Sequence, residues 1–362
     1  MIFLSGVISC KKETKPAEAS ARTIIDHDGK SVTIPNQVNR VLVASVFPLP
    51  SVLTVFLGSP EKLVGIPPAS LGAAKAGLLG EIFPEFLNIP TNFLANNEIN
   101  VEEVLKLNPD LIFTGSIDQK VKEELENAGI STVTVSANNW NYNILETYDA
   151  WIELLSEIFP EAAKKDKVSE YSKKVHELIQ SRVANIPDEQ KKKGLFLFQC
   201  NDKSIVTSGK LFFGQSWCDL TGAKNVAEEI GAENSNAVVN IEQIYQWDPD
   251  VILITNFTPQ TPEDLYNNKG PYDWSPLSAI KNKNVYKMPL GTYRSYTPSA
   301  DTPVTLYWMA KTIYPELFED IDIIKEVKSY FKEMYSIELT DEQIERMYNQ
   351  GANGASGVKL QL

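Results

Sequence analysis

One phrase occurs twice in this chain and constrains its fold more than any other feature. The first copy, residues 100–110, is followed by an apolar run at 111–114, and the second, residues 240–250, is followed by one at 251–254. Each copy starts with an asparagine suited to cap a helix and ends with a Pro-Asp pair that stops the helix. The pattern predicts a short helix and a buried strand in both copies, and therefore two lobes of similar build.

A polar segment at residues 160–186 lies between the two copies. Its apolar residues recur in steps of three and four, which is typical of a helix with one apolar face. These residues are Val168, Tyr171, Val175, Leu178, Ile179 and Val183. We expect this segment to form one long, rigid helix that joins the lobes.

Short strands and helices alternate on both sides of this segment, which favours an α/β fold with parallel sheets. The predicted strands of the first lobe are 40–44, 63–66, 111–114 and 132–135, after a hairpin at 23–34 that turns at Asp28 and Gly29. Those of the second lobe are 194–198, 251–254 and 285–288. We therefore expect two Rossmann-like lobes, at 22–159 and 187–350, with 1–21 as a leader and tether and 351–362 as a disordered tail.

Charge and composition exclude several function classes. The formal net charge of −13 argues against a nucleic-acid binder, which needs a basic face. His27 follows the polar start of the chain and His176 lies on the expected linking helix, which are poor places for a shared site, so a His-based metal site or catalytic triad is not expected. There is no Cys-x-x-Cys motif, and Cys200 and Cys218 could either pair or remain buried thiols.

The third cysteine, Cys10, follows a short apolar run and precedes a polar tract at 11–21. This arrangement resembles a bacterial lipoprotein signal with residues 7–10 as the lipobox, although Val7 and the lack of preceding basic residues depart from the usual pattern. The resemblance implies lipidation of Cys10 and a protein held at the outer face of a membrane. No other run is apolar enough to predict a membrane span.

Seven segments, in the right order, resemble the periplasmic binding proteins that serve ABC importers for iron–siderophore, haem and cobalamin uptake. They are 25–35, 40–43, 63–65, the two Glu-x6-Pro-Asp phrases, 274–286 and 308–311. The resemblance covers roughly 22–349. It implies two lobes joined by one helix and a ligand held in the cleft between them.

Strand-end loops are expected to line that cleft, as in other open α/β sheets. Aromatic side chains there could stack on a macrocycle or a catechol ring, and Arg294 could pair with an anionic chelate. The candidate ligand-binding residues are Phe47, Ser70, Ser116, Asn138, Trp140, Phe212, Asn256, Tyr293, Arg294 and Tyr296.

Glu102 and Glu242 occupy matching places in the two repeated phrases. In the family that the chain resembles, one glutamate on each lobe meets arginines of the permease. The resemblance therefore implies that these two residues dock a permease dimer, which works with its ATPase. Such charges set docking geometry more than affinity.

No nucleotide, metalloprotease or nucleophile-elbow motif is present, and no cofactor is expected. The main alternative is a two-lobed enzyme, such as a glycosyltransferase or a metal-cluster reductase. A site for free metal ions is disfavoured because no cluster of histidines and carboxylates occurs. A ferric siderophore, haem, a corrinoid and a nickel chelate all remain open as ligands.

Overall fold

The computed structural model describes residues 21–95, 98–234 and 237–358. The strands are β1 (Ala21–Ile25), β2 (Ser31–Pro35), β3 (Val41–Val43), β4 (Leu63–Gly65), β5 (Leu94–Ala95), β6 (Glu98–Ile99), β7 (Leu111–Gly115), β8 (Thr132–Val135), β9 (Lys193–Leu197), β10 (Gln199–Cys200), β11 (Ile205–Thr207), β12 (Lys224–Asn225), β13 (Ala237–Val239), β14 (Val251–Ile254) and β15 (Val285–Lys287). The helices are α1 (Leu49–Leu57), α2 (Pro68–Ala76), α3 (Leu79–Ile82), α4 (Val101–Leu107), α5 (Gln119–Asn127), α6 (Ile144–Ile158), α7 (Lys165–Val183), α8 (Phe213–Thr221), α9 (Ile241–Trp247), α10 (Pro262–Tyr266), α11 (Ser278–Lys281), α12 (Thr302–Ile313), α13 (Ile323–Tyr335) and α14 (Asp341–Tyr348). Short 3₁₀ turns occur at Pro84–Asn88, Pro160–Ala162, Asp188–Gln190, Pro315–Leu317 and Gly351–Ala355.

Two four-stranded parallel sheets form the cores of two lobes, as the sequence predicts. The first has the order β4-β3-β7-β8 and the second the order β12-β9-β14-β15. Numbered by appearance within each lobe, both orders read 2-1-3-4. The two lobes thus share one topology, and the expected α/β class is confirmed.

Side chains of each central strand alternate between two apolar clusters, so both faces of each sheet are covered. In β3, Val41 and Val43 belong to one cluster, whereas Leu42 belongs to another. In β14, Leu253 and Ile254 divide between two further clusters in the same way. The strands are therefore buried, and only their ends are available for a site.

The repeated phrase forms the same local structure in both lobes. The side chains of Asn100 and Asn240 cap α4 and α9, and each helix ends at a residue with positive φ. In the first lobe, Asp110 accepts a hydrogen bond from the Arg40 amide at 3.0 Å, which ties the phrase to the start of β3. In the second lobe, Asp250 accepts one from the Lys193 amide at 2.8 Å, at the start of β9. The Pro-Asp pair thus fixes the strand that follows it against its neighbour.

The segment expected as one helix at 160–186 is shorter in the structure. A 3₁₀ turn at Pro160–Ala162 comes first, and Ala163 has a ψ of 127°, which is incompatible with a helix. The continuous helix is α7, whose 19 residues span roughly 28 Å. Val168 packs in one apolar cluster, and Val175 and Ile179 pack in another. The helix thus contacts both cores, while its role as the rigid link stays a prediction.

The last two helices were assigned to the second lobe, but their buried faces join the core of the first. Tyr330 and Phe331 of α13 and Ile344 of α14 lie in the same cluster as Val41 and Trp151. A one-sided apolar pattern predicts that a helix has a buried face, but it does not predict which core that face packs against.

The expected disordered tail is also replaced by ordered structure up to residue 358. Gly351–Ala355 is a 3₁₀ turn and Gly354 is buried. A Cβ atom on Gly354 would lie 2.1 Å from Asn256 Oδ1, so this position accepts only glycine. The tail therefore packs against the second lobe.

Cys200 and Cys218 are both free and buried, which resolves the choice that the sequence left open. Burial raises the pKa of the Cys200 thiol to about 12, so it stays protonated and unreactive. Cys10 lies outside the described residues. Among the helices of the described ranges, none is both long and apolar enough to cross a membrane.

Candidate binding cavity

A cavity of about 570 Å³ lies where the carboxyl ends of the two parallel sheets meet. Loops that follow β3, β7 and β8 form one wall, and loops that follow β9 and β14 form much of the other. Its volume falls within the range of small-molecule sites, and its position is the usual one for ligands of open α/β sheets.

The first-lobe wall consists mainly of small polar and aliphatic residues. Ser45 follows β3, and its Oγ accepts a hydrogen bond from the Gly115 amide at 2.9 Å, which joins two of the loops. Asn138 Oδ1 accepts hydrogen bonds from Ser116 Oγ at 3.1 Å and from Ser136 Oγ at 2.8 Å. These contacts hold the loops at the ends of β3, β7 and β8 in one arrangement.

The second-lobe wall is aromatic. Phe198 follows β9 and stacks on Phe257, with ring centroids 4.9 Å apart. Phe212 meets the Phe198 ring edge to face at 5.1 Å, and Phe213 opens α8 beside it. Tyr142 meets the Phe213 ring edge to face at 5.4 Å. These contacts give a continuous aromatic surface suited to the flat or apolar faces of a ligand.

Two hydroxyl groups interrupt this surface. The Tyr142 hydroxyl donates to Asn234 Oδ1 at 2.8 Å, and burial raises the pKa of Tyr142, helped by the charge of Glu233. Burial also raises the pKa of Tyr293, whereas the neighbouring charge of Arg294 opposes that shift. Both phenols therefore remain neutral at physiological pH. The Tyr142 proton is already donated to Asn234, whereas the Tyr293 hydroxyl accepts from Arg294 and keeps its own proton for a ligand.

Comparison with known proteins places this architecture in one family. The family described as "Periplasmic binding protein" matches residues 43–290, which is more than half of the chain. The chain belongs to the periplasmic binding protein family.

Three relatives illustrate the range of this family. The chain is 25% identical to the molybdate-binding protein MolA of Haemophilus influenzae over 357 residues, which cover 92% of this chain and 97% of MolA. It is 23% identical to the Fe(3+)-citrate-binding protein YfmC of Bacillus subtilis, over 86% of this chain and 93% of YfmC. The crystal structure of a periplasmic solute binding protein from Veillonella parvula has a TM-score of 0.80 and 29% identity, over 92% of this chain and 98% of that one.

Five of the ten candidate ligand residues of this periplasmic binding protein lie around the cavity. They are Phe47, Ser116, Asn138, Phe212 and Tyr293. The other five do not line the cavity. Three of them support its walls from behind, through contacts that the sequence does not reveal.

Ser70, Asn256 and Tyr296 are these supporting residues. Ser70 Oγ donates to the Phe47 carbonyl at 2.6 Å, and Asn256 Nδ2 donates to the Met288 and Pro289 carbonyls, each at 2.8 Å. The Tyr296 hydroxyl donates to Ser208 Oγ at 2.8 Å and accepts from the Gly214 amide at 3.1 Å, which secures the start of α8.

Arg294 is fully buried and already has protein partners at every nitrogen of its guanidinium group. Nε donates to the Asn256 and Gly354 carbonyls, at 3.0 and 3.1 Å. Nη2 donates to the Ser356 carbonyl at 2.6 Å, and Nη1 lies 3.1 Å from the Tyr293 hydroxyl and 3.3 Å from the Ala69 carbonyl. The structure therefore gives Arg294 a role in joining the lobes and the tail, outside the cavity.

Trp140 lies on the far side of the first-lobe wall. Its ring meets His27 edge to face at 5.0 Å, and it borders a different, smaller depression. Asn138 and Tyr142, on either side of Trp140 in the chain, line the cavity, whereas the Trp140 side chain does not.

Five aromatic residues that line the cavity were not among the candidates: Tyr142, Trp151, Phe198, Phe213 and Phe257. Phe198 and Phe257 come within three residues of the ends of β9 and β14, so their positions in the sequence could have identified them as cavity residues. Trp151 lies in the middle of α6, where nothing local separates a cavity residue from a core residue.

Glu102 and Glu242 are both exposed, at the second position of α4 and of α9. In the described residues, no group of three or more His, Cys, Asp or Glu side chains is placed to hold a metal ion.

Proposed function

We propose that this protein is the solute-binding component of an ABC importer and that it captures a metal chelate in the cavity between its lobes. The chelate is a ferric siderophore, haem or a corrinoid. The observation that carries this proposal is the cavity itself, because it combines a continuous aromatic wall with loops from two sheets of identical topology.

The composition of the cavity favours binding over catalysis. Its described lining contains no His, Cys, Lys or Arg, so no histidine or lysine lines the cavity as a base for the serines there. The rival enzyme classes, a glycosyltransferase or a metal-cluster reductase, would need a nucleotide site or cluster ligands, and neither motif occurs in the sequence.

The relatives support an imported solute but do not identify it. Their names state molybdate for MolA and ferric citrate for YfmC, so members of this family differ in ligand. The ligand of this chain therefore depends on its own cavity.

Native mass spectrometry and an absorption spectrum of protein purified from its own host test the proposal. We expect a bound species of small mass that disappears on denaturation, with absorption typical of a ferric chelate, haem or a corrinoid. A protein that emerges without ligand, and that binds nothing from host culture medium, would contradict it.

We further propose that Glu102 and Glu242 dock the importer, which consists of a permease dimer with its ATPase. Their exposure and their equivalent places in two lobes of the same topology support this assignment. A dimer offers two equivalent surfaces, and a protein with two similar lobes can present one carboxylate to each.

We also propose that the protein is held at the outer face of a membrane through lipid on Cys10. The lipobox-like sequence at 7–10 and the polar tract after it support this. Another relative, YhfQ of Bacillus subtilis, is described as a putative ABC transporter substrate-binding lipoprotein. Cys10→Ala should move the protein from the membrane fraction to the soluble fraction, and unchanged retention would refute the anchor.

A further inference from the structure

The charge of the cavity narrows the kind of solute that it can hold. Among the 24 residues that line it in the described ranges, eight are aromatic and only Asp118 carries a formal charge. The neighbouring positions 96, 97, 235 and 236 are asparagine or serine in the sequence and add no charge. Among the described lining residues, a bound anion would thus find no side-chain cation to offset its loss of water. The buried Arg294 lies behind Tyr293, and every nitrogen of its guanidinium group already donates to a protein acceptor.

Asp118 is also unusually placed for an aspartate at the start of a helix. It occupies the N-cap of α5, yet its side chain accepts no hydrogen bond from the amides of that helix. A Cβ atom on Gly115 would lie 2.6 Å from Asp118 Oδ2, so glycine at this strand end makes room for the carboxylate. The carboxylate therefore remains available to a ligand, whereas an N-cap aspartate normally binds its own helix.

The nearest buried cation on α5 does not neutralise Asp118. Lys122 Nζ lies 3.0 Å from Asp26 and 3.5 Å from Asp28, and it also donates to Thr134 Oγ1 at 2.5 Å. Lys122 is 1% exposed, so its charge is balanced within the first lobe. Among the described residues Asp118 forms no ion pair, so it contributes a negative charge to the cavity wall.

Several backbone amides at the cavity also have protein acceptors already. Three helices begin there, α1 after Pro48, α5 after Asp118 and α8 after Phe212, and a helix start is where an oxyanion would usually bind. At the start of α5, the Asp118 carboxylate would repel an anion. In α1, the Ser51 and Val52 amides both donate to the Pro48 carbonyl. In α8, the Gly214 amide donates to Ser208 Oγ and to the Tyr296 hydroxyl.

We propose that the solute is a chelate of zero or positive net charge whose apolar faces meet the aromatic wall, and that Asp118 accepts a hydrogen bond from its donor or cationic group. This inference rests on the proposed function and narrows it. It separates this chain from relatives named for molybdate and ferric citrate, because both of those solutes are anions. The overall charge of −13 acts in the same direction, since it slows the approach of anions.

A charge series on one chelate tests the selectivity. The probes are a ferric trihydroxamate with a pendant ammonium group (net charge about +1), its N-acetyl derivative (about 0) and its N-succinyl derivative (about −1), with molybdate and ferric citrate alongside. Dissociation constants are measured by calorimetry and by quenching of Trp151, which lines the cavity. We expect the −1 chelate to bind at least about tenfold more weakly than the others, and molybdate and ferric citrate not to compete.

Asp118→Asn removes the charge at nearly constant shape, and Glu123→Gln is its matched control, because Glu123 is exposed on the same helix. The Asp118 variant should reduce the preference for the +1 over the −1 chelate by about tenfold, whereas the control should leave it unchanged. Preference for the −1 chelate or for molybdate in the unmodified protein, or an equal shift in both variants, would overturn the inference.

Incubation with host culture medium separates this inference from the proposed function. The captured species is identified by native mass spectrometry, and its charge by capillary electrophoresis. A neutral or cationic chelate supports both ideas, whereas an anionic chelate upholds the proposed function and refutes the charge selectivity. If the protein captures nothing from the medium and binds none of the probes, the proposed function fails, and the inference fails with it.

Discussion

The guanidinium group of Arg294 lies 3.1 Å from the hydroxyl of Tyr293, so a buried cation stands behind a phenol that lines the cavity. The same group donates to carbonyls of Ala69 in the first lobe, Asn256 in the second and Ser356 in the tail. One side chain therefore connects the cavity wall to three separate parts of the chain.

We expect Arg294→Ala to lower the free energy of unfolding by about 3–5 kcal/mol, because it leaves several buried carbonyls without a donor. Urea denaturation followed by circular dichroism measures this change. Arg346→Ala is the matched control: Arg346 is exposed and pairs with Glu81, so its loss should cost at most about 1 kcal/mol. Equal stability of the two variants would show that the buried contacts of Arg294 contribute little.

The aromatic wall gives a second prediction. Phe257→Ala should weaken binding of the solute captured from host medium by about 1–3 kcal/mol, because it removes a ring that stacks on Phe198 and faces the cavity. Calorimetry with the purified solute measures the loss. Trp140→Ala is the control, since its ring packs against His27 away from the cavity. A larger effect at Trp140 would move the binding site to that side of the first lobe.

Local patterns were sufficient for the framework of the fold. The strand predicted at 251–254, after the second copy of the repeated phrase, has the same bounds as β14. Such a prediction is possible because capping asparagines, Pro-Asp stops and apolar runs determine structure over a few residues. Contacts between distant segments were not accessible in this way. Arg294 donates a hydrogen bond to Ala69, which lies 225 positions away in the sequence. No local sequence pattern could predict that the donors of Arg294 bind protein carbonyls and not a ligand.

The cavity was predictable only in part for the same reason. Strand ends identified Phe47, Ser116 and Tyr293 because the carboxyl ends of parallel strands meet at one edge. Trp151 was missed because a large aromatic residue inside an amphipathic helix is usually core. In this protein its ring borders the cavity while its Nε1 donates to the Ser136 carbonyl at 2.6 Å.

Asp149 gives a prediction about pH. It lies on α6, and burial raises its pKa to about 6 from the ordinary 3.8, although a hydrogen bond from Ser172 of α7 opposes the shift. The folded protein thus binds this proton more tightly than the unfolded chain does. The stability that Asp149 provides is therefore present below about pH 4 and is lost as the pH rises through 6.

Asp149→Asn should remove this dependence, because the amide stays neutral and its oxygen can still accept from Ser172. We expect the variant to exceed the unmodified protein in unfolding free energy by up to about 2–3 kcal/mol at pH 7.5, and by little at pH 4. Urea denaturation at both pH values measures the difference. Asp166→Asn, at an exposed position of α7, should change stability equally at the two pH values, and the same result at Asp149 would contradict the prediction.

The docking pair Glu102 and Glu242 gives the last prediction. Each is exposed at the second position of its helix, next to an asparagine cap that keeps the helix start in place without it. Replacing both by Ala should therefore leave solute affinity unchanged and alter stability by no more than about 0.5 kcal/mol. Uptake in vesicles that contain the permease and its ATPase should nevertheless fall sharply, and charge reversal to Lys should reduce it further, because the permease would then meet like charges.

The matched control is the double change Glu123→Ala and Glu263→Ala, which removes one exposed carboxylate from each lobe at other positions. Normal uptake by the first double variant, or an equal loss in the control, would exclude these two glutamates as the docking contacts.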